Sequence, residues 1–442
     1  MARFPKLTLC LLLCVAWAGV PAGAQKQPAP AAPATPYSNV RRDSLLNGLQ
    51  VVTLDRAGEP LLRCDLVIRH GAMFDLADKV GLASLTQEAL LAVNPRLKEE
   101  FESLRATIDW GADWDTTWFR FEVPPANFET AMEILGRLLV AENVRQEAFA
   151  GAHRSRLEAV RARAGQALPA ERADAAFLAA LYGNHPYGHG VEGDERSVAS
   201  IVRGDAYDYL KRFYIANNTF AVVVGEITHE RVMRAFKAYY GGWVKGQLVP
   251  ATFRQPPRAT AVRLVKVEAP EAPEVELRGG LVGLKATDAD FAAGALLARV
   301  LEARLKKELS AAGAIRVGVS AAPRLLAGPF YFAAAAPADR AAEVSRRATD
   351  GFAGLATAVP TVEELAAAKA HLTGDFAARP IADHLRMIEA YGLPRNYPLT
   401  FAERVNALTG ADLQRVAKRL LEANALTVVV LGRLSENFKS EI

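Results

Sequence analysis

The chain has 442 residues, 51% of them hydrophobic, with 53 Lys and Arg against 49 Asp and Glu. That much apolar side chain supplies a large core and two or three domains, which excludes a wholly disordered chain. A charge so near neutral argues against a nucleic-acid partner.

At the N-terminus, Arg3 and Lys6 precede an apolar run from Leu7 to Val20, and Ala22-Gly23-Ala24 offers a small-residue cleavage site before Gln25. The pattern predicts a secretory signal peptide over residues 1–24, because the run, about 14 residues, falls short of the roughly 20 that span a bilayer. An uncut anchor is the alternative. Removal takes two positive charges and leaves a net charge of +2. Cys10 and Cys14 leave with the signal, and neither stands where a lipoprotein cysteine would, so a periplasmic or secreted protein with no stable membrane span is expected. Cys64 remains alone in the alternation Leu62-x-Cys64-x-Leu66-x-Ile68 and reads as a buried core thiol.

Residues 25–39 are rich in Pro and Ala and read as a tether. Asn47-Gly48 between apolar segments predicts a hairpin over Ser44–Val52, and a second strand follows over Leu61–Arg69. Helical periodicity covers Leu82–Val93, Phe128–Ala141 and Glu147–Ala164. Residues 201–225 align without a gap onto 408–432: Asp205, Lys211, Arg212, Ala216, Asn217, Val222, Val223 and Gly225 fall on Asp412, Lys418, Arg419, Ala423, Asn424, Val429, Val430 and Gly432. A match this long at one offset indicates two homologous halves, residues 40–245 and 262–442, joined by a Pro-rich linker over 246–261. Strands, then helices, then a closing strand in each half predict an α+β fold with helices packed on a mostly antiparallel sheet.

The segment Gly81-Leu82-Ala83-Ser84-Leu85-Thr86-Gln87-Glu88 opens the first helix, after a strand ending in Arg69-His70-Gly71-Ala72-Met73-Phe74-Asp75. This resembles the insulinase and mitochondrial-processing-peptidase family of zinc peptidases, in which R-x-G-S-x-x-D leads into G-x-A-H-x-x-E-H. Ile108-Asp109-Trp110-Gly111-Ala112, Leu181-Tyr182-Gly183-Asn184-His185-Pro186-Tyr187-Gly188 and Asn217-Asn218-Thr219 extend the resemblance to about residues 40–435. It implies a two-halved chain forming half of a clamshell.

The motif departs from the active pattern at every catalytic place. Ser84 and Glu88 stand where the two histidines belong, and Gln87 where the glutamate base belongs. A neutral hydroxyl is a poor zinc ligand and an amide cannot take a proton from bound water, so no intact catalytic residue, no metal and no cofactor are expected. For the family's third ligand the later helix offers Glu158, while the register equally allows Ala159; with Glu158, two carboxylates would suit a weakly held hard cation better than zinc. In the second half Arg316 takes the place of the family's tyrosine, with no arginine preceding it at the expected distance, and a lone arginine beside a strand reads as solvated.

The seven histidines form no other cluster; Pro186 and Gly188 between His185 and His189 give a turn instead of a helical pair, and His70 reads as turn or rim packing. Gly279-Gly280, Ala333–Ala336 and Ser84 as a nucleophile match no phosphate loop, membrane span or hydrolase elbow. The function expected is therefore a non-catalytic partner subunit that binds peptide and completes the chamber of an active zinc-peptidase homologue, or of a second copy of itself. The alternatives are a metallopeptidase completed by other or partner residues, with zinc bound after all, and a purely structural scaffold.

Overall fold

In the computed structural model, residues 35–140, 144–249, 255–423 and 425–434 are described. The expected signal peptide, most of the tether, linker residues 250–254 and Asn424 of the repeat lie outside them. The first half runs β1 (Val40–Ser44), β2 (Gln50–Asp55), β3 (Leu62–Ile68), α1 (Leu82–Leu91), α2 (Leu97–Ser103), β4 (Thr107–Ala112), β5 (Thr117–Val123), α3 (Phe128–Val140), α4 (Gln146–Gln166), α5 (Pro169–Tyr182), α6 (Glu195–Ser200), α7 (Arg203–Phe213), β6 (Thr219–Gly225) and α8 (His229–Tyr240). The second runs β7 (Arg263–Glu268), β8 (Val275–Val282), α9 (Phe291–Ala311), β9 (Arg316–Ala321), β10 (Pro329–Ala336), α10 (Ala341–Ala353), α11 (Val362–Ala377), α12 (Ile381–Tyr391), α13 (Tyr397–Ala407), α14 (Gly410–Ala423) and β11 (Thr427–Gly432).

The repeat read from the sequence is a repeat of topology. The first sheet has the order β1-β2-β6-β3-β5-β4 and the second β7-β11-β8-β10-β9. Each has one parallel pair, β2 with β6 and β7 with β11, and is otherwise antiparallel. Strand β1 is the addition in the first half; it pairs with β2 through the expected hairpin, whose Gly48 has φ +89°. A side chain at that φ is strained, so glycine closes the turn.

Strands β6, β8 and β11 are buried along their whole length. They are covered on both faces because each half lends a helix to the other: α5 packs on β8 and β11, and α12 packs on β3 and β6. This is why the central strands read as continuous apolar runs instead of alternating ones. Cys64 lies in the first core as a free, buried thiol, and burial pushes its pKa well above the ordinary value.

The exchanged helices dock through ion pairs at equivalent places. On β3, Asp65 accepts from Arg63 Nε at 2.8 Å and from Arg120 Nε at 2.5 Å, and Arg63 also binds Asp383 of α12. On β8, Arg278 donates to Glu276 at 3.0 Å and to Asp174 of α5 at 2.5 Å. Between these contacts, Tyr187 of the His-Pro-Tyr-Gly turn donates to buried Asp115 at 2.6 Å, whose other oxygen accepts the Leu325 N–H at 3.0 Å. The turn is structural, as its sequence indicates, and it ties the first half to the β9–β10 loop.

Candidate functional site

Helix α1 is aimed by its entry loop. The carboxylate of Asp75 accepts the Gly81 and Ala83 N–H groups at 2.8 Å each, which caps the helix from a residue six positions upstream. Burial raises the Asp75 pKa to about 7 against the pull of these N–H donors. For an acid raised in the folded state, the associated stability is complete below its ordinary value and is lost as pH rises through about 7. The stability gap between wild type and D75N, which does not titrate, is therefore expected to narrow from pH 5 to pH 8 in urea melts.

Gly81 adopts φ +99° and Gly193 φ +75°, and their backbones pass so closely that a Cβ on Gly81 would lie 2.6 Å from the Glu192 carbonyl oxygen. A Cβ on Gly193 would collide with the Val80 carbonyl. The pair seats the Val191–Gly193 loop on the start of α1, so G193A is expected to cost about 2 kcal/mol in chemical denaturation.

The three degenerate motif positions share a helical face but do not converge. Ser84 is buried, and its hydroxyl lies 3.1 Å from both the Gly81 and the Val191 carbonyl oxygens, which share its one proton. Gln87 is buried and donates to the Trp118 carbonyl of β5 at 2.9 Å. Of the three, Glu88 alone lines a cleft of about 880 Å³ between α1, α4 and the edge strand β4. There it forms a two-pronged ion pair with Arg156 of α4, whose Nε lies at 3.2 Å. Arg156 is only 8% exposed, and its Nη1 lies 3.5 Å from Glu192, which in turn binds Arg163.

Helix α4 also decides between the two third-position candidates. Ala152, Ser155, Arg156, Ala159 and Arg163 face the cleft, whereas Glu158 lies on the exposed side and does not line it. The register places Ala159, not Glu158, opposite α1, because one residue step turns a helix by about 100°. The two-carboxylate arrangement drawn with Glu158 therefore does not form.

Residues 200–372 match the family model of the peptidase M16 inactive domain. A stretch of 88 residues is 28% identical to an uncharacterized zinc protease of Mycobacterium leprae, covering 20% of this chain and 19% of that relative's length. The fold is that of the peptidase M16 inactive domain from Pseudomonas fluorescens, with a TM-score of 0.82 at 22% identity over 90% of this chain and 99% of that one. The chain carries this fold, and over residues 200–372 it is similar to the M16 family.

Other M16-like structures fit along the same length. A protease from Helicobacter pylori aligns with a TM-score of 0.82 at 18% identity, over 89% of this chain and 99% of that one. The periplasmic protease PqqL from Escherichia coli aligns with a TM-score of 0.74 at 16% identity, over 89% of this chain but 47% of that one.

The donors at Ser84, Gln87 and Glu88 do not fit zinc. The Ser84 proton is committed to carbonyls, Gln87 is turned into the sheet, and the one carboxylate already faces a guanidinium. No group of three His, Cys, Asp or Glu side chains is placed to hold a metal among the described residues. Histidines sit as packing groups: His185 Nδ1 accepts the Tyr187 N–H at 3.1 Å, and buried His70 stacks on Phe213 beside Asn218. Arg316 is solvated, as its sequence reading expects, but it is not unpartnered. Though its side chain reaches solvent, it is held by Glu274 at 3.0 Å and Glu276 at 2.5 Å, so it is not a free cation for a substrate.

Sequence reasoning missed Arg156, and the signal was present. Phe149, Ala152, Arg156 and Val160 are the buried residues of α4, so an arginine stands within the apolar stripe. Such a placement requires an anionic partner, and the motif helix supplies it in half-buried Glu88.

Proposed function

We propose that this chain is an exported, non-catalytic partner subunit that binds peptide and completes the chamber of an active zinc-peptidase homologue, contributing no metal of its own. The observation that carries the reading is the Glu88–Arg156 ion pair: the motif helix spends its remaining charge inside the molecule. Peptide binding is supported by β4, the last strand of its sheet, whose Trp110 lines the cleft. An edge strand beside a cleft takes an extended peptide by strand addition, with backbone hydrogen bonds giving affinity and the cleft giving selectivity. Export is supported by the N-terminal pattern Arg3 to Ala24 and by the likeness to a protein described as periplasmic.

Co-expression with an active M16 homologue from the same source tests the reading. The expected result is a co-purifying complex whose peptide cleavage depends on this chain. Elution of this chain as a lone monomer, unable to change the homologue's activity, counts against it. Stoichiometric zinc with peptide cleavage by this chain alone would revive the enzyme alternative.

A further inference from the structure

The mismatch with zinc has a definite shape. At the place where the motif helix of an active relative faces a metal ion, this chain puts a guanidinium, nine-tenths buried, between carboxylates from two different segments: Glu88 on α1 and Glu192 on the loop before α6. Arg156 also stands on α4, so one cation joins α1, α4 and the Val191–Gly193 loop. A metal ion in such a position neutralises its ligands and fixes the segments that carry them. A planar fork with five donors does both through hydrogen bonds, and it stays charged at every accessible pH.

We infer that Arg156 is a built-in substitute for the metal, holding together the elements around the former zinc position, and that a divalent cation takes over its place once the guanidinium is removed. The inference rests on the zinc-free reading of the site above. The oxygens then available are the Glu88 carboxylate and the second oxygen of Glu192, whose Oε2 pairs with Arg163. This is an all-oxygen set that suits Mn²⁺ or Ca²⁺ at weak, roughly millimolar affinity and not zinc. Arg163 stays paired with Glu192 and limits the charge left exposed, which keeps the variant foldable.

The test uses the full-length chain and the variant R156M, which retains the packing of the arginine stem. Its melting temperature is expected to fall by about 5 °C relative to wild type. Addition of about 50 mM MnCl₂, roughly fifty times that dissociation constant, is expected to recover about half of that loss relative to NaCl at matched ionic strength. Wild type, with the cation position filled, is expected to show no Mn²⁺ response, and R156M/E88Q to melt above R156M and to show none either. R156Q, a polar replacement of similar reach, gives the same readout if R156M does not fold. A zinc-free wild type whose R156M and R156Q variants gain nothing from Mn²⁺, or gain it equally after E88Q is added, overturns this assignment alone. Stoichiometric zinc in the wild type would instead overturn the proposed function.

Discussion

Replacing Asp65 by asparagine is expected to lower the unfolding free energy by about 3 kcal/mol, read as a shift of the urea midpoint with little change in slope. Its side chain is 0% exposed and accepts from two arginines of its own sheet, while Arg63 reaches on to Asp383 of the exchanged helix α12. An amide keeps the shape but leaves two guanidinium groups facing each other across a buried position without an anion. The full cost of an unpaired buried charge, up to about 5 kcal/mol, is not reached, because both arginines retain access to water and to Asp383. D383A removes only the outer partner of the cluster and is expected to cost less than D65N. A loss below about 1 kcal/mol for D65N would mean that this network adds nothing to the docking of the halves.

Rebuilding the peptidase motif with S84H/Q87E/E88H is expected not to create a zinc site. The triple substitution supplies two imidazoles, but Arg156 then points its charge at them with Glu88 gone, and Ala159 gives no third ligand. Adding R156A and A159E removes the cation and supplies the carboxylate on the face that meets α1. Zinc affinity, measured by competition with a chromophoric chelator, is expected to be at least about 100-fold tighter for the five-site variant than for the triple, since a third protein ligand closes the tetrahedron to one open position. The triple variant combined with R156A alone serves as the control for Glu158. If that control already binds zinc as tightly as the five-site variant, Glu158 reaches the site and the placement of Ala159 is overturned.

Much of this was legible in the sequence because it depends on local pattern. Asn47-Gly48 marks its hairpin by backbone conformation alone, and the expected helices over 82–93, 128–141 and 147–164 correspond to α1, α3 and α4 within two residues at each end. The gapless match of 201–225 to 408–432 marks the parallel central strand and its preceding helix in each half, which is why β6 and β11 occupy equivalent places in the two sheets. The departure of Ser84, Gln87 and Glu88 from the family's ligand and base types was equally visible, since it is a matter of residue identity alone.

The partners of those residues were not legible. Glu88 and Arg156 are 68 positions apart, Arg63 and Asp383 320, and no periodicity connects them. The choice between Glu158 and Ala159 turns on a rotation of about 100° in α4, which is fixed by the packing of Phe149 and Ala152 in the first core. The carboxylate partners of Arg316, Glu274 and Glu276, were hidden for the same reason. The amino-acid order by itself set the elements, their duplication and the residue types on the motif helix, because backbone propensity and side-chain chemistry act over a few neighbouring positions. Which charge neutralises which, and that a buried arginine occupies the cation's place, was decided only when the folded chain brought distant segments together and withdrew them from water, where an unpaired charge is too costly to leave alone.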